Sequence, residues 1–295
     1  MCELEQDMLT VRRGPILTIS RESSAAAGAA YFEAPSMRKI NGRYYLVYSA
    51  RNTGLYYFIS DRPDKDFRFG GRIHSTSDVG MNGYSEEEPC YPMGNTHGGL
   101  VELNGRYYIF DHRHTNNSSF CRQGVAEQIN IDAQGLIAQV ESTSCGLNNG
   151  WLIGEGTYPA YIACVLYYEK TVPIDDRTAC ITQDGEDRES LPGQYIRGIS
   201  DGCIVGYRYF QGTELSNIRL TLRGRMKGTL YVTCHEEGGR MQDPEKIAVG
   251  SCICDIAAED WETITIPVQV RAGVYPLYFR FRGEGSLDLA EFTME

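Results

Sequence analysis

His112 and His114 stand on either side of Arg113 in the run Asp111-His112-Arg113-His114-Thr115-Asn116. Alternate side chains of a strand share a face, so the two histidines point one way and Arg113 the other. Two imidazoles on one face are part of a zinc site, but no third ligand accompanies them, and the non-metal reading is preferred. Arg113 offers a rigid fork of donors that can hold two acceptors at once. The plainer reading is a surface arginine with no fixed partner. His97 lies in Gly94-Asn95-Thr96-His97-Gly98-Gly99-Leu100. Calcium prefers oxygen ligands, so one histidine argues weakly for that metal, and a hydrogen-bonded histidine without metal is an equal reading. Glu33, taken alone, is a strand-start carboxylate within reach of Arg38 or Lys39.

Several chemistries are excluded. The sequence has no Gly-x-x-x-x-Gly-Lys-Ser/Thr phosphate loop. Lys plus Arg total 28 against 39 Asp plus Glu, a net charge of −11. An acidic surface repels phosphate backbones, so neither nucleic acid nor an anionic membrane is expected as a partner. No apolar run approaches the ~18 residues of a membrane span. The ten cysteines are scattered, with Cys252-x-Cys254 the closest pair. The first residues carry neither a basic nor an apolar signal-like region. Free buried thiols and a cytoplasmic location are the expectation. Tyrosine is frequent, at 20 of 295 residues. Aromatic rings suit the C–H faces of sugars, although strand propensity alone accounts for most of them.

These residues need elements to hold them, and the pattern is strand almost throughout. Asn41-Gly42 and Asn104-Gly105 are tight-turn signals, each between two apolar runs. They predict hairpins pairing Met37–Ile40 with Tyr44–Ser49 and Leu100–Leu103 with Tyr107–Phe110. The string Asn-Gly-Arg-Tyr-Tyr at 41–45 returns 63 residues later. A repeated all-β unit of that size fits a propeller blade with an enlarged loop. Repetition fades after about residue 155, leaving about two and a half blades where propellers close with ~4–8. Open sheet edges invite association, so the expectation is a fragment, half of a split enzyme, or an oligomer that closes by assembly. Asp175 to Pro192 is polar and is expected to be a long loop. From Tyr195 onward, runs such as Ile218–Leu222, Leu230–Thr233, Ile264–Val270 and Leu277–Phe281 have sandwich-like spacing. The expected organisation is all-β: residues 1–155 a partial β-propeller, residues 156–295 a jelly-roll-like β-sandwich.

Three segments carry a resemblance. Phe32-Glu33-Ala34-Pro35-Ser36-Met37-Arg38-Lys39-Ile40-Asn41-Gly42-Arg43-Tyr44-Tyr45 resembles the general-acid segment of family 43 glycoside hydrolases. Gly94 to Leu100 resembles the central-histidine segment of that family, and Asp111 to Asn116 the strand end that follows it. The remainder, through Tyr195-Ile196-Arg197-Gly198-Ile199-Ser200-Asp201-Gly202 and Leu277-Tyr278-Phe279-Arg280-Phe281, resembles a family 6-type carbohydrate-binding module. The first resemblance implies a five-bladed propeller that hydrolyses β-xylosides or α-L-arabinofuranosides of plant polysaccharides with inversion.

On that basis Glu33 is the general acid, held protonated by partial burial and a nearby carboxylate. His97 points into the central channel beside a bound cation, calcium by expectation. Arg113 reaches the substrate or the carboxylate that tunes the acid. The base and tuning aspartates of the family lie upstream of the acid, and no residue here matches either; Asp7 matches a non-catalytic position. The expected partners are a plant-type oligosaccharide or polysaccharide and an upstream-encoded propeller half, or a second copy of the chain. The alternative is a non-catalytic carbohydrate-binding or scaffold protein. Tyr207, Tyr209, Trp261 and Tyr275 are the candidate sugar-stacking aromatics of the sandwich.

Overall fold

A computed structural model describes residues 1–51, 54–170, 172, 174–175, 177–185, 193–235 and 243–295. Strands dominate. Among the described residues the helical segments are α1 (Arg21–Ala26), a single 3-10 turn at Ala160–Ile162, and α2 (Pro244–Ile247). The chain divides into two compact units that alternate along the sequence. The first comprises 1–75, 95–112 and 124–141; the second comprises 76–94, 113–123 and 142–295.

The first unit begins with the short pair β1 (Glu3–Leu4) and β2 (Val11–Arg13). Next comes a four-stranded antiparallel meander of β3 (Tyr31–Ile40), β4 (Arg43–Ala50), β5 (Gly54–Ser60) and β6 (Arg68–His74). A three-stranded sheet follows, with β7 (Gly99–Leu103), β8 (Arg106–Thr115) and β9 (Ser118–Ile129) in that order. Such meanders are the form of propeller blades. Both expected hairpins are present. Asn41 and Gly42 have φ of 51° and 83°, and Asn104 and Gly105 have 52° and 75°. Positive φ at both central residues gives a turn whose twist matches the strands. Asn116 and Asn117 do the same between β8 and β9, at 54° and 48°.

The repeat is physical as well as textual. Tyr45 and Tyr108 are buried, whereas Tyr44 and Tyr107 are half-exposed. Tyr45 lies in the core of the first unit, and on β8 it is Ile109, with Tyr107 against it, that reaches the same core. One face of the four-stranded sheet packs Ile40, Tyr45, Val47, Leu55, Tyr57 and Ile59 with Leu100, Ile109 and Ile129. The other face packs Tyr48, Tyr56 and Phe58 with Ala29. Covered on both faces, β5 is buried along its entire length.

The second unit is a β-sandwich. It consists of β10 (Leu152–Ile153), β11 (Gly156–Pro159), β12 (Val165–Tyr168), β13 (Cys180–Asp184), β14 (Gly193–Ser200), β15 (Cys203–Gly212), β16 (Leu215–Thr233), β17 (Gly250–Val270) and β18 (Gly273–Met294). The runs read as separate short strands merge into three long ones, because Ile218–Leu222 and Leu230–Thr233 both lie in β16. Bulges bend these strands instead of ending them. At Gly224, with φ of 127°, the register of β16 jumps from Leu222 opposite Glu262 to Gly224 opposite Ala258. A bulge adds twist while preserving pairing on either side. The expected loop over Asp175–Pro192 is corrected as well: Cys180–Asp184 pairs with β14 as strand β13. Asp176 and 186–192 lie outside the described residues. All ten cysteines are free thiols, and Cys90, Cys164, Cys180, Cys203 and Cys254 are buried.

Within this unit Arg208 and Asp78 are ion-paired with no exposed side-chain surface. Arg208 Nη1 also donates to Ser142 O (3.3 Å), and Ser142 N–H donates to Asp78 Oδ1 (2.7 Å). The pair fastens segments 76–94 and 142–145 to β15. Removing one member strands a buried charge, so Asp78→Ala is expected to cost ~3–5 kcal/mol in urea denaturation, with Asp78→Leu/Arg208→Met recovering most of it. Buried thiols and phenols set the alkaline stability: burial pushes Cys164, Cys203, Tyr91 and Tyr168 up to about 12 and Tyr207 well above the usual phenol range. Ionisation from about pH 8.5 for the thiols and about 10 for the phenols favours the unfolded chain, so stability is full below ~8.5 and falls as pH rises toward the folded values. Urea midpoints measured at stepped alkaline pH should show that decline.

Candidate active site

Glu33 sits where β3 breaks register. Tyr31 pairs with Ala50, Glu33 with Ser49, and Ser36 with Val47, with an irregularity on each side of Glu33. The cause is visible in the backbone, since Ala34 has φ of 60°. A non-glycine residue in the left-handed region costs energy and persists only where the surroundings enforce it. The kink, followed by Pro35, re-aims the carboxylate out of strict strand alternation. Glu33 and Phe32 are both exposed. The partial burial that the acid role calls for is not supplied by the described residues.

The ladder partner of Glu33 links it to the second segment. Ser49 Oγ and Thr96 Oγ1 are 2.7 Å apart, and both residues are buried. Ser49 is the Cα partner of Glu33 in the ladder, at the point where the register shifts. Thr96 immediately precedes His97, which is exposed. The next residue, Gly98, is required by space: a Cβ there would sit 1.7 Å from Phe110 O.

Beneath His97 lies a buried carboxylate. Asp111 Oδ1 accepts from the backbone N–H groups of His97 (3.2 Å) and His112 (2.7 Å). Asp111 Oδ2 faces His74 Nδ1 at 3.0 Å, and neither side chain has more than 1% exposure. This pairing orients the imidazole of His74 and fixes the approach to His97. The rings of His97 and His112 meet edge to face, with centroids 6.2 Å apart. Sequence reasoning quoted Asp111 without a role and missed His74, Ser49 and Thr96. Nothing in a linear pattern pairs residues 37 or 47 positions apart.

A cation beside His97 does not fit these groups. Calcium takes about six to eight oxygens. Both Asp111 oxygens are already bonded, and among the described residues no group of three or more His, Cys, Asp or Glu could hold a metal.

Arg113 departs from its expected role. It is 5% exposed, with Nε and Nη2 donating to Gln123 Oε1 at 2.9 and 2.8 Å. Nη2 also donates to Tyr161 O at 3.1 Å, Nη1 donates to Ala163 O, and the guanidinium lies 5.0 Å from the Tyr91 ring centroid. The fork is spent on the packing of the second unit rather than offered to a sugar. Of the candidate aromatics, Tyr207 and Tyr275 are buried. Tyr209 packs edge to face with Trp151 at 5.3 Å. Trp261 is 36% exposed, but Arg223 lies 4.4 Å from its ring centroid and 4.7 Å from that of Tyr195.

If Gly98 and Asp111 hold the His97 segment, Gly98→Ala displaces it while leaving β3 and β4 intact. The imidazole proton resonances of His97 and His112 should both move. An unchanged spectrum would show that the segment accommodates a methyl group and is not fixed as described.

The chain is 38% identical to a xylosidase/arabinosidase of Thermoclostridium stercorarium over 305 aligned residues, covering 99% of this chain and 62% of that protein. It therefore spans less than two thirds of that relative. Among solved structures it is similar to a family 43 arabinoxylan arabinofuranohydrolase from Bacillus subtilis, at 16% identity and a TM-score of 0.47, over 99% of this chain and 58% of that one. A β-1,3-glucan-binding family 6 module from Bacillus halodurans matches half of this chain and 99% of its own, at 18% identity and a TM-score of 0.36. Residues 1–137 match the glycosyl hydrolases family 43, and that stretch contains Glu33, His97 and Asp111.

Proposed function

We propose that residues 1–155 supply the general acid of an inverting glycoside hydrolase of the family 43 type, acting on β-xylosides or α-L-arabinofuranosides of plant polysaccharides. The observation that carries this reading is Glu33 itself. It is an exposed carboxylate on a strained bulge, tied through Ser49 and Thr96 to His97. The match of residues 1–137 and the xylosidase/arabinosidase relative support the reaction and substrate class.

In this scheme Glu33 protonates the departing glycosidic oxygen while a base on the opposite face of the sugar activates water. Inversion needs the two carboxyl groups ~6.5–9.5 Å apart. Asp111 cannot serve as that base, because its oxygens are buried and bonded. The base and the tuning aspartate are therefore assigned to a partner of different sequence, an upstream-encoded propeller half. Leu9, Leu17, Met8 and Phe32, at 86%, 78%, 71% and 52% exposure, give the first unit an apolar surface suited to such an association. Residues 156–295 are read as a sandwich of the carbohydrate-binding type that binds polysaccharide.

The engaged state of Asp111 favours one second reading, in which the chain by itself is a non-catalytic carbohydrate-binding protein. Hydrolysis of nitrophenyl β-xyloside and α-L-arabinofuranoside tests both. The purified chain alone is expected to remain at background, and addition of the upstream-encoded product should give activity that Glu33→Gln lowers ~10²–10⁴-fold. Activity that survives Glu33→Gln would remove Glu33 from the acid role. Absence of activity in every combination would leave the binding reading.

A further inference from the structure

The second unit contains a cavity of about 320 Å³ that the scheme above does not use. Pro89, Tyr91, Pro92 and Met93 form one wall, and Leu166 and Tyr168 form the floor. A smaller cavity of about 80 Å³ shares Tyr91, Pro92, Met93 and Leu166 with it, so the two make one elongated cleft. We propose that this cleft binds a short neutral oligosaccharide of the polysaccharide substrate, as a non-catalytic site separate from Glu33.

The middle of the cleft is apolar and stiff. The Tyr91 hydroxyl donates to His114 O (2.8 Å), and its ring is backed by the Arg113 guanidinium. The Tyr168 hydroxyl donates to Gly198 O (3.3 Å) and accepts from Ala179 N–H (3.1 Å). With their polar ends committed to the protein, both side chains are already ordered; the half-buried Tyr168 presents carbon surface to the cleft, and the buried Tyr91 backs its wall. Little conformational entropy is lost when a ligand lies against them. The cavity is in the size range of small-molecule sites, ~300–1,000 Å³.

Polar groups lie at the two ends. Glu86 and Glu87 line the wider end and are exposed. Ser118 and Ser119 line the narrower one. A pyranose chain matches this distribution: its C–H faces cover the apolar floor while its hydroxyls reach carboxylates and serine hydroxyls. Lys170 lines the same cavity and offsets one of the two carboxylates, so the lining has little net charge and suits a neutral ligand better than an anion. Segment 76–94, which supplies the wall, is fastened by the buried Arg208–Asp78 pair, and the site is thereby held in shape. The identity of the sugar rests on the proposed function; the cleft and its polarity do not.

Methionine methyl spectroscopy tests the inference on the full chain. The Met93 signal, assigned with Met93→Leu, should shift saturably on addition of xylotriose, while the core residues Met226 and Met294 stay in place. Glu86→Lys/Glu87→Lys is expected to weaken that response about tenfold through lost acceptors. Glu33→Gln should leave it unchanged, so failure of the catalytic reading is scored separately. No movement of Met93 at tens of millimolar xylotriose would overturn the proposal. A shift with phenol but none with xylotriose would also overturn it, by showing the cleft to be a site for an apolar ligand.

Discussion

A single buried carboxylate organises the first unit. Asp111 has no water to solvate it, so its two oxygens must be satisfied by protein donors. They take the backbone N–H groups of His97 and His112 on one side and the ring of His74 on the other. Strand β8 is thereby joined to the end of β6 and to the segment entering β7. The carbonyl of Phe110 presses so closely on Gly98 that no side chain fits there. The position of His97 follows from these two constraints, and Ser49 and Thr96 extend them to the ladder that carries Glu33. The kink at Ala34 is the local cost of pointing that carboxylate outward.

The second unit solves the same problem with an arginine. Arg208 and Asp78 neutralise one another where neither touches water, and the pair joins residues 130 positions apart. Arg113 acts similarly at lower charge density, using carbonyls and Gln123 to anchor the tip of the β8–β9 hairpin. Arg113, a cation that reads as available in the sequence, is consumed by the fold. The acid at position 33 is the opposite case. It has the exposure and backbone strain of a functional group, and the burial it needs must come from a partner surface.

Local rules recovered much of this from the sequence. Asn-Gly turns fix φ through the residues themselves, so both hairpins and their repeat were legible. The third such turn, Asn116-Asn117, uses a less conspicuous pair and was missed. Strand content was legible, but strand length was not: Gly224 looks like a break, yet in the sheet it is a bulge within one 19-residue strand. Polar composition hid β13, whose pairing to β14 overrides local preference. Segments 76–94 and 113–123 belong with the sandwich through buried contacts that no periodicity encodes. Arg113 was read from its chemistry alone, which is the same for an arginine that binds a sugar and one that binds carbonyls.

The role of Glu33 can be measured most directly through leaving-group dependence. Rates for a series of aryl and alkyl xylosides would be compared between the active assembly and its Glu33→Gln form. General-acid assistance matters most for a poor leaving group and hardly at all for one that departs unprotonated. The unaltered protein should therefore show a shallow dependence on leaving-group basicity. Glu33→Gln should show a steep one, with dinitrophenyl xyloside nearly spared and alkyl xylosides almost inert. An equal loss across the series would contradict proton donation by Glu33 and leave it a structural residue of the bulge.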